Sequence, residues 1–244
     1  PLDFRTNMRF YTSVDLGSYV PPHWHDAIEI LYLQEGELKV NTESTSRNLH
    51  SGQCTLIQPN KVHSTLCTRP NKAIVFQIPL LFLEKFVPDA SRLTFQLEET
   101  PRQASLPEWD RQKIQINQFK EKLEQMQFIM DTKPDGAPLL FNTLLFDVLY
   151  QLYHNFSFRF TADSTSRQNQ NLEKLKPVLD YINCNYNRAI SLTEISRIAM
   201  FDPKYFCRFF KKCMGTTFLE YQNGIRISHI YQDLVSTNDK ISVG

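Results

Sequence analysis

Two histidines and a glutamate near the N-terminus are the residues best suited to chemistry. His23 and His25 are separated by one residue, and Glu29 follows four positions later. Alternate side chains of a strand point to the same face, so the two imidazoles should lie side by side, and Glu29 can converge with them from the adjoining strand. Imidazole is the commonest metal-ligand side chain, and carboxylates also bind metals. The pattern favours a metal site or a polar pocket.

The spacing of these residues resembles the first motif of the cupin family. Residues 17–36 follow the pattern G-x5-H-x-H-x3-E-x6-G. The segment PNKVH at 59–63 resembles the second cupin motif, although it is one residue shorter than the usual proline-to-histidine spacing. The resemblance implies a small β-barrel in which a fourth residue, His63, completes the set of candidate metal ligands: His23, His25, Glu29 and His63.

A second group of residues, at 191–215, predicts two short helices joined by a tight turn. Ser191 and Glu194 can form a capping box that starts the first helix. Asp202 supplies the N-cap of the second helix and is followed by a proline at the first helical position. Gly215 can end that helix in a left-handed conformation.

The second of these helices has an apolar face and a basic face. Three- and four-residue spacing places one set of side chains against the preceding helices: Phe206, Phe209, Phe210 and Cys213. The opposite face carries Lys204, Cys207, Arg208 and Lys211. Arg208 can bind a guanine edge through two N–H groups, whereas Lys211 and Lys212 suit phosphates. From the charges alone, a solvated face on an ordinary helix is equally compatible.

The same region resembles the first helix-turn-helix of the AraC/XylS family of bacterial transcription regulators. The match lies in SLTEIS at 191–196, FDPKYFCRFFKK at 201–212 and GTTF at 215–218, followed by Tyr221 and Arg226. By this resemblance three side chains face DNA bases: Lys204, Cys207 and Arg208. The predicted DNA-binding residues are Lys204, Cys207, Arg208, Lys211, Lys212 and Ser191.

The resemblance also predicts the structure on the C-terminal side of the first motif. Residues 225–235 should begin the long helix that links two such motifs in the family. A second helix-turn-helix normally comes after a segment like that at 237–242, and this sequence ends at Gly244. We therefore expect only the first half of the family's DNA-contacting surface in this sequence.

The family resemblance offers a second use for the histidines. Sensor cupins of AraC-type regulators usually imply a small-molecule pocket, often for a sugar, with no required cofactor. Trp24 then offers an aromatic face to a sugar ring and Glu29 a carboxylate to its hydroxyls, although ordinary barrel packing also explains Trp24. The predicted effector-binding residues are His23, Trp24, His25, Glu29 and His63. A divalent zinc, nickel, manganese or iron ion at His23, His25, Glu29 and His63 is the alternative.

The elements that position these residues change along the chain. Short β-rich runs separated by turn signals predict a barrel or sandwich, at 8–14, 28–33, 37–40, 53–57 and 73–78. Helical spacing begins after Pro107 and continues in a second apolar run at 139–158. In the first of these helices, the apolar face is predicted to consist of Ile114, Phe119, Leu123, Met126 and Ile129. This pair of helices either mediates dimerisation or covers the open side of the barrel.

The chain therefore divides into four predicted segments. The stretch at 161–171 is rich in Ser, Thr, Asn and Gln, which is the composition of a solvated linker. The segments are a cupin effector-sensing barrel at 1–100, a helical dimerisation hairpin at 101–160, the linker at 161–171 and a DNA-binding domain at 172–244. The predicted fold class is α+β multidomain.

The composition excludes several classes of protein. The 244 residues include 27 basic and 26 acidic side chains, so any nucleic-acid surface must be local. Five scattered cysteines favour a reduced, cytoplasmic protein. Charges or prolines interrupt every apolar run before the roughly 20 residues that a membrane helix needs. A Gly-rich phosphate loop and a Gly-x-Ser-x-Gly elbow are absent from the sequence, which argues against common kinases and hydrolases.

The main hypothesis is a transcription regulator that is not an enzyme. Its expected partners are double-stranded DNA, a small-molecule effector such as a sugar, and a second copy of the chain, without a membrane. A metal-dependent cupin enzyme, such as an oxygenase or isomerase, would explain the histidines but not the C-terminal motif. A sensor or dimerisation partner that does not bind DNA is the third interpretation, because one motif supplies only part of the contacts that set specificity.

Overall fold

The computed structural model describes residues 8–42, 45–97, 106–159 and 164–241. β-Strands dominate the N-terminal part and helices the C-terminal part, which gives an α+β layout. The first strands are β1 (Arg9–Asp15), β2 (Tyr19–His23), β3 (Ala27–Glu35), β4 (Glu37–Thr42), β5 (Ser46–His50), β6 (Cys54–Ile57), β7 (His63–Leu66) and β8 (Asn71–Pro79). They are followed by α1 (Leu80–Leu83), a 3-10 turn (Ala90–Arg92), β9 (Leu93–Phe95), α2 (Leu106–Thr132), α3 (Ala137–Phe156), β10 (Ser157–Arg159), α4 (Ser164–Cys184), α5 (Leu192–Ile198), α6 (Pro203–Met214) and α7 (Phe218–Ile241).

The first eight strands form two antiparallel sheets. The strand order is β1-β8-β3-β6 in the first sheet and β2-β7-β4-β5 in the second. Both sheets contribute to one buried cluster, formed by Leu31, Leu33, Ile57, Ala73 and Val75 of the first, Leu38, Val40 and Leu49 of the second, and Cys67. The sheets therefore pack face to face around a common core. The five predicted β-rich runs correspond to β1, β3, β4, β6 and β8.

Strand β2 was not predicted, because its two prolines resemble a turn signal. Pro21 and Pro22 lie inside the strand, which is at the edge of the second sheet. An edge strand tolerates proline because the missing N–H need not pair with a neighbouring strand. Strands β5 and β7 were also missed, since their short polar sequences, SRNLH and HSTL, lack a clear apolar alternation.

The hairpin of α2 and α3 covers the outer face of the first sheet. Strand β3 is apolar along most of its length because both of its faces are buried: Leu31 faces the second sheet, and Ile30 faces the hairpin. Burial of each such side chain contributes about 1.5–3 kcal/mol. The expectation for Ile114 was wrong, because that side chain is exposed and Ile116 is buried instead. Ile116 has the three-residue spacing to Phe119 that keeps both on the inner face.

Helices α4 to α7 share a separate core, here called the C-terminal core. Its helical members are Leu172, Leu175, Val178, Leu179, Ile182, Ile195, Phe206, Phe209, Phe210, Met214, Phe218, Tyr221 and Ile225. The predicted apolar face of α6 is thus confirmed. The predicted linker is helical from Ser164 onward, since composition does not separate a polar helix from a polar coil. Residues 161–163 of that linker lie outside the described part of the chain.

Helix α7 packs along strand β2 and joins the two parts of the molecule. It begins at Phe218, seven residues before the predicted start at Ile225, and continues to Ile241. The Tyr231 hydroxyl lies 3.4 Å from Asp15 Oδ1, beside the turn that leads into β2. Among the residues described, no helix combines the length and apolar character needed to cross a membrane.

Candidate functional site

Four side chains from both sheets meet in one group, here called the histidine cluster: His23, His25, Glu29 and His63. His23 ends β2, Glu29 lies on β3 and His63 begins β7, while His25 follows β2 in the turn. One ligand atom of each residue lies within 4.8 Å of every other. The fold therefore brings together all four residues that were predicted from the sequence as candidate metal ligands.

Backbone carbonyls hold all three imidazoles in the same way. Each Nδ1 lies close to the carbonyl oxygen two residues away: 3.0 Å from Pro21 for His23, 3.0 Å from Ala27 for His25 and 2.9 Å from Lys61 for His63. A carbonyl oxygen can only accept, so each Nδ1 carries a hydrogen. In His23 and His63 the Nε2 atom is then the nitrogen available to a ligand, whereas His25 Nε2 is paired with Glu29. Metal-binding histidines are usually held by such an outer hydrogen bond.

Glu29 is the acidic centre of the cluster. Its Oε2 lies 2.8 Å from His25 Nε2, and its Oε1 lies 3.8 Å from His63 Nε2. Gln77 on the neighbouring strand donates a 2.6 Å hydrogen bond to Oε2. Sequence reasoning missed Gln77, although a lone polar residue within the apolar run of β8 was a usable signal.

The charges of the cluster are set by burial and by its own members. Burial opposes ionisation of Glu29, but the hydrogen bond from His25 and the proximity of His63 lower the pKa of Glu29 to about 2. Burial, followed by the neighbouring His23, lowers the pKa of His63 to about 4. Burial also lowers the pKa of His23. At neutral pH Glu29 is therefore a carboxylate, and His23 and His63 are neutral imidazoles.

This arrangement fits a divalent transition-metal ion. In the described part of the chain, the buried Nε2 of His63 has no hydrogen-bond partner. A metal–nitrogen distance of about 2.0–2.1 Å puts ligand atoms on opposite sides of one ion about 4.2 Å apart, close to the spread of the cluster. His23, His25, Glu29 and His63 would hold the ion, which would act as a Lewis acid. The same atoms can instead bind hydroxyl groups of a small molecule.

Trp24 and Val62 contact the helical part of the molecule. Val62 is a buried member of the C-terminal core, and Trp24 packs against that core. Trp24 separates His23 from His25, and Val62 precedes His63. The structure therefore does not bring Trp24 into the histidine cluster, and its predicted stacking against a sugar remains a prediction that this packing does not support.

A basic surface lies on α6, as the sequence predicted. Six residues of this helix are exposed, Tyr205 among them. The other five are called the basic face here: Lys204, Cys207, Arg208, Lys211 and Lys212. The opposite side of α6 is fixed in the C-terminal core by Phe206, Phe209 and Phe210. The four cationic side chains are thus available to an anionic partner on a helix with a fixed orientation.

Side-chain caps hold the ends of α5 and of α6, the helix that carries the basic face. The Ser191 hydroxyl accepts a 3.2 Å hydrogen bond from the Glu194 N–H, and Glu194 bonds the Ser191 N–H in return. Asp202 caps α6 through the N–H groups of Lys204 and Tyr205, and Gly215 ends it with φ +72°. The predicted capping box, N-cap and C-cap are confirmed. Ser191 is exposed, so its capping role leaves room for a phosphate contact.

A hydrogen-bonded network around Glu194 was not predicted from the sequence. Arg188 and the Tyr181 hydroxyl both bond the Glu194 carboxylate, and the hydrogen bond from Arg188 is the main cause that lowers the pKa of Glu194 to about 2. Arg226 of α7 donates to the carbonyl oxygens of Tyr186 and Arg188. These bonds tie α4, α5 and α7 together beside the basic face. Arg226 is about 40 residues from its partners and Tyr181 is 13 residues from Glu194, so local spacing gave no signal for these bonds.

Comparison with known proteins identifies the N-terminal sheets. Residues 10–78 match the cupin domain family, and this match includes the whole histidine cluster. An RmlC-like cupin from Shewanella frigidimarina has 25% sequence identity and a TM-score of 0.29, over 34% of this chain and 75% of that chain. The family match and the element order together give cupin-like sheets followed by helices.

The curated relatives include transcription regulators. The lactose operon transcription activator of Staphylococcus xylosus is 27% identical over 99 residues, which are 41% of this chain and 36% of that protein. An uncharacterized HTH-type transcriptional regulator of Staphylococcus aureus strain N315 is 20% identical over 220 residues, 89% of this chain and 27% of that protein. This chain therefore spans roughly a third of the length of these relatives. The matches support a cupin-containing transcription regulator.

Proposed function

We propose that this protein is a sequence-specific DNA-binding transcription regulator of the AraC/XylS type. Helices α5 and α6 act as its helix-turn-helix, and α6 enters the major groove. The observation that carries the proposal is the basic face of α6, which is exposed while three phenylalanines fix the back of the helix. A recognition helix needs this combination, because its angle must be fixed before its side chains can select bases.

The roles on the basic face follow from side-chain chemistry. Arg208 and Lys204 bind base edges, and Arg208 pairs with a guanine through two parallel hydrogen bonds. Cys207 lies between them and contacts bases at short range. Lys211 and Lys212 bind phosphates, with Ser191 as a further phosphate contact at the start of α5. Transcription regulators among the relatives support a DNA-binding role for the chain.

A small-molecule effector or a divalent metal binds in the cupin part, at the histidine cluster. The Nε2 atoms of the neutral imidazoles His23 and His63 and the carboxylate oxygens of Glu29 are hydrogen-bond acceptors. A sugar would use its hydroxyl groups there, and the name of the lactose operon relative is compatible with this ligand class. A metal would use the Nε2 atoms and the carboxylate.

The protein acts as a homodimer through the outer surface of the α2–α3 hairpin. This surface exposes several large apolar side chains: Ile114, Phe128, Leu139, Leu140, Phe146, Tyr150 and Tyr153. A groove of about 580 Å³ lies between the two helices, and its lining includes Phe128, Ile129, Leu140 and Leu144 as well as Glu121 and Glu124. Exposed apolar area of this extent usually marks an interface. A second copy doubles the DNA contacts.

Enrichment from pooled genomic fragments of the source organism tests the proposal. The wild-type chain should retain discrete promoter fragments, and Arg208→Ala should change or abolish that selection. Lys85→Ala removes one positive charge from the cupin part and is the matched control. Equal retention of all fragments by the wild type, or unchanged selection by Arg208→Ala, would contradict it.

A second function, that of a metal-dependent enzyme such as an oxygenase or isomerase, is favoured by one observation. Three histidines with fixed Nδ1 atoms surround a buried carboxylate, as a metal centre requires. Turnover of a small substrate that disappears when the metal is chelated would establish this function. It would leave the basic face of α6 without a role.

A further inference from the structure

The two segments that carry histidines have a ligand side and a helix side. In one segment His23 and His25 belong to the histidine cluster, while Trp24 between them packs against the C-terminal core. In the other, His63 belongs to the cluster, while Val62 is buried in the C-terminal core. Each segment therefore contacts the cluster and the DNA-binding helices with consecutive residues. Movement of either segment must therefore change both the histidine cluster and the contact with the helices.

Strand β2 makes a second connection to α7. A Cβ atom on Gly224 of α7 would lie 3.0 Å from Tyr19 Cε1 and 3.7 Å from Pro21 Cβ and Cγ. Gly224 has no need for a positive φ, so the absence of a side chain serves the close approach of helix and strand. The carbonyl oxygen of the same Pro21 holds His23 Nδ1. One residue thus contacts α7 and fixes a histidine of the cluster.

From these contacts we infer that occupation of the histidine cluster by a divalent transition-metal ion is energetically coupled to the docking of α7 on β2. Trp24, Val62 and Pro21 are the positioning residues that carry the coupling. A bound ion restricts His23, His25 and His63, and therefore restricts the two segments on which the helices rest. The docked arrangement is stabilised, and the orientation of α6 is fixed with it. This inference rests on the cluster being the ligand site of the proposed function.

Reciprocity gives the sharpest test. If metal binding favours docking, docking favours metal binding by the same coupling factor, so a variant that populates the undocked state must bind metal more weakly. Gly224→Ala adds a Cβ against Tyr19 and touches no member of the cluster, and alanine itself favours a helix, so local unfolding of α7 is not expected. We expect calorimetry to show nickel(II) affinity reduced about five-fold or more, the lower end of usual coupling factors. Leu219→Ala, at an exposed position of the same helix, is the matched control and should bind nickel as the wild type does.

Hydrogen exchange of α7 amides provides the second readout. Nickel should slow exchange across residues 218–231 in the wild-type chain but not in His63→Gln, which lacks a ligand. In Trp24→Ala and in the milder Val62→Ala, the slowing should be smaller at saturating nickel. The inference is overturned if nickel fails to bind the wild type, if nickel leaves α7 exchange unchanged there, or if Gly224→Ala binds nickel with wild-type affinity. No DNA is present in either measurement, so failure of DNA binding is distinguished from failure of coupling.

Discussion

His23 and His63 face each other across the β2–β7 pair, with ring centroids 4.2 Å apart. Each donates its Nδ1 hydrogen to a backbone carbonyl, so in the neutral rings both Nε2 atoms carry no hydrogen and can accept a bond. Two neutral imidazoles in this arrangement attract a cation or a hydrogen-bond donor. The pairing brings β2, an edge strand with two prolines, into the histidine cluster.

Gln77 should support metal binding without touching the metal. Gln77→Leu removes the hydrogen bond that orients Glu29, and loss of such an outer partner typically costs 10–100-fold in affinity. We expect calorimetry with nickel to show a decrease of about this size, and His63→Gln to show a larger one. Gln115→Leu, in the α2–α3 hairpin, is the control and should leave the affinity unchanged. Equal affinities for Gln77→Leu and the wild type would remove Gln77 from this role.

Gly36 should tolerate alanine far less than Gly52 does. Both glycines have φ +83°, but a Cβ on Gly36 would lie 2.2 Å from the Pro70 carbonyl oxygen, whereas nothing lies within 4 Å of one on Gly52. Gly52→Ala should lower the free energy of unfolding by about 1–2 kcal/mol, because alanine adopts a positive φ only with strain. Gly36→Ala should lower the free energy of unfolding further, because the backbone at Pro70 must also move to make room for the Cβ atom. Urea unfolding of both variants measures the difference, and equal losses would show that the close approach has no cost.

The caps of α5 and α6 should contribute to the stability of the C-terminal core. Ser191→Ala and Asp202→Ala each remove a side-chain acceptor for orphan N–H groups, which costs about 0.5–2 kcal/mol. Thermal unfolding should show lower transition temperatures for both. Ser13→Ala, on strand β1, is the control. Unchanged stability of both cap variants would mean that water replaces these bonds at no cost.

The apolar surface of the hairpin should be required for dimerisation. The Phe128 side chain is 65% exposed beside the groove between α2 and α3. Phe128→Glu places a charge in the proposed interface, and burial of an unpaired charge is strongly unfavourable. Sedimentation velocity should show a wild-type dimer and a monomeric variant. Leu219→Glu, at an exposed position on α7, should remain dimeric, and a wild-type monomer would refute the proposed interface.

The sequence predicted most of the elements that depend on local patterns. The capping box at Ser191, the N-cap at Asp202 and the apolar face of α6 are encoded within a few residues, and the structure confirms them. Spacing linked His23, His25 and Glu29, and the resemblance to the second cupin motif added His63. What sequence reasoning missed depends on contacts distant along the chain, such as Gln77 beside Glu29 and Trp24 against the C-terminal core. The helical start of the predicted linker was missed because its polar composition fits either state.

The salt dependence of DNA binding tests the central claim most directly. The wild-type chain and three variants, Arg208→Ala, Lys211→Ala and the control Lys85→Ala, are titrated on a selected promoter fragment and on random DNA. We predict that Lys211→Ala weakens binding to both DNAs and lowers the salt slope by about 1, the loss of one phosphate contact. Arg208→Ala should reduce the preference for the promoter, by about 1–3 kcal/mol, and Lys85→Ala should match the wild type. Wild-type binding that is absent or independent of salt, or identical titrations for all four proteins, would contradict the claim that α6 binds DNA.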